Sequence, residues 1–111
     1  VETELPPEKQ KMLRDLRNRE KNLEERTILV VDDDVRNIFA LSAALEAAGC
    51  KVIVARNGLE ALRALEEHPG VDLILTDIRM PLMDGIALAL AAERDFPAVK
   101  ILLMTGFADQ R

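Results

Sequence analysis

Four short apolar runs, separated by stretches of helical periodicity, limit what this chain can fold into more than any other feature. Residues Thr27–Val31, Lys51–Ala55, 71–76 and Lys100–Met104 are rich in valine, isoleucine and leucine, and each has the length of a buried strand. Between them, 36–48 carries Ile38, Leu41, Ala44, Leu45 and Ala48 at helical spacing before Gly49 stops it. After an Asn57-Gly58 turn, 59–67 reads as a second helix with Leu59, Leu62 and Leu65 inward, and 85–94 reads as a third. Strands separated by helices of this length imply right-handed parallel crossovers, with helices on both sheet faces. The expectation is a doubly wound α/β sheet.

Two of the runs end in carboxylates. Residues 28–31 give way to Asp32, Asp33 and Asp34, and 73–76 stops at Asp77, just before Arg79, Met80 and Pro81. Ligands of open α/β sheets collect at the carboxyl ends of strands, and in the flavodoxin-like order 2-1-3-4-5 the first and third strands are neighbours. Asp32, Asp33 and Asp77 then meet at one edge. Two carboxylates about 4 Å apart repel by roughly 4 kcal/mol at an effective dielectric near 20, so such a cluster needs a cation. Oxygen donors with no histidine or cysteine nearby favour Mg²⁺, whereas Ca²⁺ normally wants a contiguous loop of alternating ligands that is absent here. Acids after a strand also cap the following helix, which is the role expected of Asp34 and, taken alone, an open alternative for Asp32 and Asp33. Thr105, at the end of the fourth run, offers a hydroxyl either to a phosphoryl oxygen on an adjacent acid or to its own loop.

The 111 residues suit one domain with a modest core. With 15 basic residues against 20 acidic ones the net charge is −5, which argues against direct nucleic-acid binding. No apolar stretch approaches the roughly 18 residues needed to cross a membrane and no signal peptide is visible, so the reading is cytoplasmic. Cys50 is the one cysteine, which excludes an internal disulfide and a thiolate metal cluster and leaves it a small residue at a strand start. His68, in Glu66-Glu67-His68-Pro69-Gly70, is expected to be solvated or to cap a helix end. Residues 1–26 read as a charged helical linker opened by Pro6-Pro7, with Met12, Leu16 and Leu23 near one face and Leu13 slightly off it. Such a segment is either a solvated linker or a connecting helix that packs against an upstream domain.

Taken in order, Thr27-Ile28-Leu29-Val30-Val31-Asp32-Asp33-Asp34, Leu73-Ile74-Leu75-Thr76-Asp77-Ile78-Arg79-Met80-Pro81-Leu82-Met83-Asp84-Gly85 and Leu102-Leu103-Met104-Thr105-Gly106 resemble the receiver domain of two-component response regulators. The linker and Val35-Arg36-Asn37-Ile38-Phe39-Ala40-Leu41 look most like receivers on the C-terminal side of hybrid sensor histidine kinases. The resemblance implies a phosphorelay module that is not an enzyme in isolation. Asp77 would accept a phosphoryl group from a phosphohistidine on a histidine kinase or histidine phosphotransfer domain. Asp33 and Asp77 would touch Mg²⁺ directly, Asp32 mainly through water, and the carbonyl of Arg79 would complete the protein ligands. Thr105 would turn its hydroxyl toward the phosphoryl group. Pro81 would stiffen the loop behind the acceptor and Gly85 would allow the turn into the third helix; Asp109 has no matched role.

A full receiver also has a fourth helix, a fifth strand ending in a lysine, and a fifth helix. Lys100 lies at the wrong end of the fourth strand for that role. The expectation is therefore a receiver over 27–111 with strand order 2-1-3-4, lacking those elements, in a fragment that starts at Val1 and stops at Arg111. Its fourth strand would be an edge open to self-association, and its stability lower than that of a complete receiver. Two other functions fit parts of the pattern. A haloacid-dehalogenase-like phosphatase would use Asp32 as nucleophile and Asp34 as general acid/base, and a receiver-derived binding module would no longer switch.

Overall fold

The alternating runs form β1 (Thr27–Val31), β2 (Lys51–Ala55), β3 (Leu73–Asp77) and β4 (Lys100–Met104), interleaved with α1 (Val35–Ala47), α2 (Gly58–Glu67) and α3 (Gly85–Asp95). The computed structural model describes residues 5–7, 9–11, 13–14, 24–77 and 84–104. All strand pairs are parallel and the order is β2-β1-β3-β4, as the flavodoxin-like reading requires. Among the described residues, no helix is long and apolar enough to cross a membrane.

Period-two alternation divides the core between the sheet faces. Ile28, Val30, Leu73 and Leu75 face α1 and pack with Leu41, Ala44 and Leu45. Leu29, Val31 and Ile74 face the other way, onto Ala61 and Leu65 of α2 and Leu88 and Ala92 of α3. Because β1 and β3 are covered on both faces, they read as continuous apolar runs. Leu59, expected inward, is 53% exposed. The inward stripe of α2 follows Gly58, Ala61 and Leu65, and Leu59 lies about 100° around the helix from Gly58.

The helix starts are set by side-chain acceptors. Asp34 caps α1, accepting from the Arg36 N–H at 2.9 Å, and Asp84 caps α3, accepting from the Ala87 N–H at 2.8 Å. Asn57 is the N-cap of α2 and not part of a free turn, accepting from the Glu60 N–H at 2.9 Å, while Glu60 reaches back to the Arg56 N–H at 3.1 Å. His68 is the exposed C-cap of α2. The chain before β3 turns back at Val71 and joins its neighbours at Asp72, whose N–H donates to the Thr27 carbonyl at 2.9 Å and whose carbonyl accepts from the Lys100 N–H at 3.2 Å. The Val71 N–H donates to the His68 carbonyl at 3.2 Å, and Asp72 accepts from the Thr27 N–H at 2.9 Å.

Gly49 closes α1 in a Schellman arrangement: its N–H donates to the Glu46 carbonyl at 3.0 Å, and the Cys50 N–H donates to the Leu45 carbonyl at 3.1 Å. Its φ is +91°, and an added Cβ would lie 2.9 Å from Glu24 Cγ. Gly49→Ala is expected to lower stability by about 1–2 kcal/mol, measured as a fall in the urea midpoint with an unchanged slope.

The N-terminal segment also joins the core. Pro7, Lys9, Gln10, Lys11, Leu13 and Arg14 are helical, with the Lys9 and Gln10 N–H groups donating to the Pro6 carbonyl at 3.0 Å. Leu5 and Leu13 are buried against Ile28, Val30, Leu41 and Leu73. Leu13, set off the expected stripe, is fully buried because the inward side follows Leu5, Lys9 and Leu13 at four-residue spacing. Met12, Leu16 and Leu23 lie outside the described residues.

Candidate functional site

Register places the acids side by side. Val31 of β1 pairs with Thr76 of β3, so Asp32 and Asp77 are the next residues on adjacent strands at the carboxyl edge. The Asp32 N–H extends the ladder one step further, to the Ala55 carbonyl at 3.2 Å. Asp32 shares the parity of Ile28 and Val30, and Asp77 that of Leu73 and Leu75, which directs both toward the face bearing α1 and the N-terminal segment. Asp33, two residues past the end of β1, is exposed.

One carboxylate oxygen from each of Asp32, Asp33 and Asp77 lies within 4.8 Å of the others. Neighbouring ligands of an octahedral Mg²⁺ sit about 3 Å apart, so the three acids need only close slightly around one ion. An all-oxygen donor set on this scale fits a hard cation and not a thiophilic one. Arg79 and Thr105, with Met80, Pro81 and Asp109, lie outside the described residues. In the register of β3 with β4, Asp77 pairs with Met104.

The site also holds a cation of its own, which the sequence reading missed. Lys9 donates to Asp32 Oδ2 at 2.6 Å and to Asp77 Oδ2 at 3.1 Å. The Lys9 side chain is 8% exposed and that of Asp32 is fully buried. Asp32 Oδ1 accepts from the Asp34 N–H at 2.9 Å, so both oxygens of Asp32 are engaged. Burial raises the pKa of Asp32 above its ordinary value, against the opposing pull of the Lys9 and Asp34 hydrogen bonds. Burial alone would lower that of Lys9, but hydrogen bonds and charge from Asp32 and Asp77 outweigh it and leave the value raised. The two shifts have different causes, burial for Asp32 and the two facing carboxylates for Lys9, and Lys9 keeps its proton. The available signal was the four-residue spacing of Leu5, Lys9 and Leu13, which puts one charge on an otherwise apolar face.

Asp34 stands apart from this cluster. Its carboxylate caps α1 and also accepts from Arg36 Nε at 3.2 Å and Nη2 at 3.0 Å. Those bonds hold its pKa below the ordinary carboxylate value. A residue so engaged is unsuited to the general acid/base role that a phosphatase would ask of it.

A family model, the response regulator receiver domain, matches residues 28–111. The chain belongs to the response regulator receiver family. The receiver is 46% identical over 84 residues to the response regulator receiver protein CpdR of Brucella abortus (strain 2308), covering 76% of this chain and 68% of that protein. It is 41% identical over 85 residues to the transcriptional regulatory protein ZraR of Klebsiella oxytoca, spanning 77% of this chain but 19% of that regulator. Among solved structures, the receiver is similar to the signal receiver domain of a signal transduction histidine kinase from Syntrophus aciditrophicus, at 35% identity and a TM-score of 0.67. That match covers 70% of this chain and 60% of the other. It also resembles a chain of the CheX-CheY-BeF3-Mg²⁺ complex from Borrelia burgdorferi, at 28% identity and a TM-score of 0.69, covering 72% of this chain and 61% of that one. The receiver is thus a two-component signalling domain with a phosphoacceptor fold.

Proposed function

We propose that this receiver takes a phosphoryl group onto Asp77 from the phosphohistidine of a histidine kinase or histidine phosphotransfer domain. The supporting observation is the convergence of Asp32, Asp33 and Asp77 within 4.8 Å at the carboxyl edge of β1 and β3. In the transfer, an Asp77 carboxylate oxygen forms the new P–O bond as the donor P–N bond breaks; the bonding pair leaves on the imidazole nitrogen, which takes up a proton. Asp33 and Asp77 would hold Mg²⁺ directly, Asp32 through water, with the Arg79 carbonyl as a further ligand. Bound Mg²⁺ would neutralise charge on the attacking and transferred oxygens. The Thr105 hydroxyl would donate to a phosphoryl oxygen. Residues 27–111 would form this unit, 1–26 would precede it as a linker whose described part packs onto its core, and its setting would be the cytoplasm.

Acetyl phosphate with Mg²⁺ tests the reading without a named kinase. The wild-type chain is expected to gain one phosphoryl group on Phos-tag gels and Asp77→Asn none; equal labelling of the two would remove Asp77 from the role. A lack of any response to Mg²⁺ and beryllofluoride would favour a binding module that no longer switches. Among the described residues β4 is an edge strand, and the reading includes self-association through it. Sedimentation is expected to show mass rising with concentration, and a constant monomer would refute that part.

A further inference from the structure

We propose that Lys9 and a divalent cation compete for the same carboxylates, which makes the N-terminal segment a strap that loosens when the site fills. The inference rests on reading the acidic edge as a metal and phosphoryl site, and concerns how that site is regulated. Lys9 occupies Oδ2 of both Asp32 and Asp77, at 2.6 and 3.1 Å. The other oxygen of Asp32 is held by the Asp34 N–H. A cation drawing on Asp32, directly or through water, must therefore displace Lys9 or sit beside it. An ion bonded to that same Oδ2 at about 2.1 Å would lie within about 5 Å of the ammonium, two positive charges in a spot nearly closed to solvent.

The ammonium belongs to a docked segment. Leu5 and Leu13 flank Lys9 four residues to either side and are buried in the face formed by Ile28, Val30, Leu41 and Leu73. Releasing the ammonium from Asp32 and Asp77 removes the ion pairs that tie the segment to the sheet edge, and so weakens its docking. Strap docking and cation binding are then linked, and the coupling is reciprocal: whatever weakens the strap tightens the cation, and the cation weakens the strap by the same factor.

Titration calorimetry with MgCl2 alone, on the whole chain, tests the first half. The Mg²⁺ Kd is expected to fall about tenfold or more in Lys9→Gln and to stay unchanged in Lys11→Gln, which alters an exposed charge in the same segment. Hydrogen exchange of the wild-type chain tests the second half without any variant. Amides of 9–14 are expected to exchange about tenfold faster at saturating Mg²⁺ than in EDTA. If the wild type binds Mg²⁺ while Lys9→Gln binds no tighter, or if exchange over 9–14 is unmoved by Mg²⁺, the competition is refuted and the reading of Asp77 as acceptor survives. If neither protein binds Mg²⁺, the metal-site reading fails and the strap falls with it.

Discussion

Chelating the divalent cation with EDTA is expected to slow labelling of the receiver by acetyl phosphate about a thousandfold. The reason lies in the charge of the site. Asp32, Asp33 and Asp77 present three carboxylates within 4.8 Å, and the described cation among them is the single ammonium of Lys9. An incoming phosphoryl group is itself anionic. One uncompensated pair of like charges about 4 Å apart costs roughly 4 kcal/mol at an effective dielectric near 20, equivalent to about three powers of ten in rate. Asp33→Asn should show part of the same loss while leaving the fold intact, because Asp33 is exposed. Initial rates with and without chelator decide the matter; a rate indifferent to EDTA would mean that Lys9 alone supplies the needed charge.

The largest stability effect is expected at Ile74. This residue lies fully buried on the inner strand β3, paired with Leu29 on one side and Ile101 on the other, beneath α2 and α3. Ile74→Ala removes three carbons from a site walled by two strands and two helices, which cannot collapse into the gap. The cost should be about 2–5 kcal/mol, moving the urea midpoint down by roughly 1–3 M. Leu59→Ala is the control: at 53% exposure, its removal should change stability by less than about 0.5 kcal/mol. Equal effects at the two positions would contradict the packing of α2.

That contrast also shows where sequence reading stops. Among the described residues, apolar periodicity located β1 to β4 and α1 to α3 because burial is what it reports. It extended β3 back to Val71, which is buried but bonds to His68 and not to the ladder, since hydrophobicity carries no record of where an N–H points. It turned Leu59 inward because helix phase was judged from leucines, whereas Gly58 and Ala61 hold the inner stripe. The acids were legible because a strand's carboxyl end fixes where its next residue emerges. Lys9 was not: a lysine in a charged segment reads as solvated, and only docking of Leu5 and Leu13 on the same face as Asp32 and Asp77 brings it to the site.

The sheet order has a consequence for how the chain acquires its structure during synthesis. β1 leads the sheet in sequence yet lies inside it, and both its neighbours, β2 and β3, follow it along the chain. Once Ala55 has emerged, β2 can pair, but one side of β1 keeps its ladder groups exposed until Asp77 has emerged. At ribosomal rates of roughly 5–20 residues per second, that interval lasts about 1–4 s. Throughout it, the acid that follows β1 waits without the acid that ends β3, and the nascent chain carries an open parallel edge that its own later sequence must close.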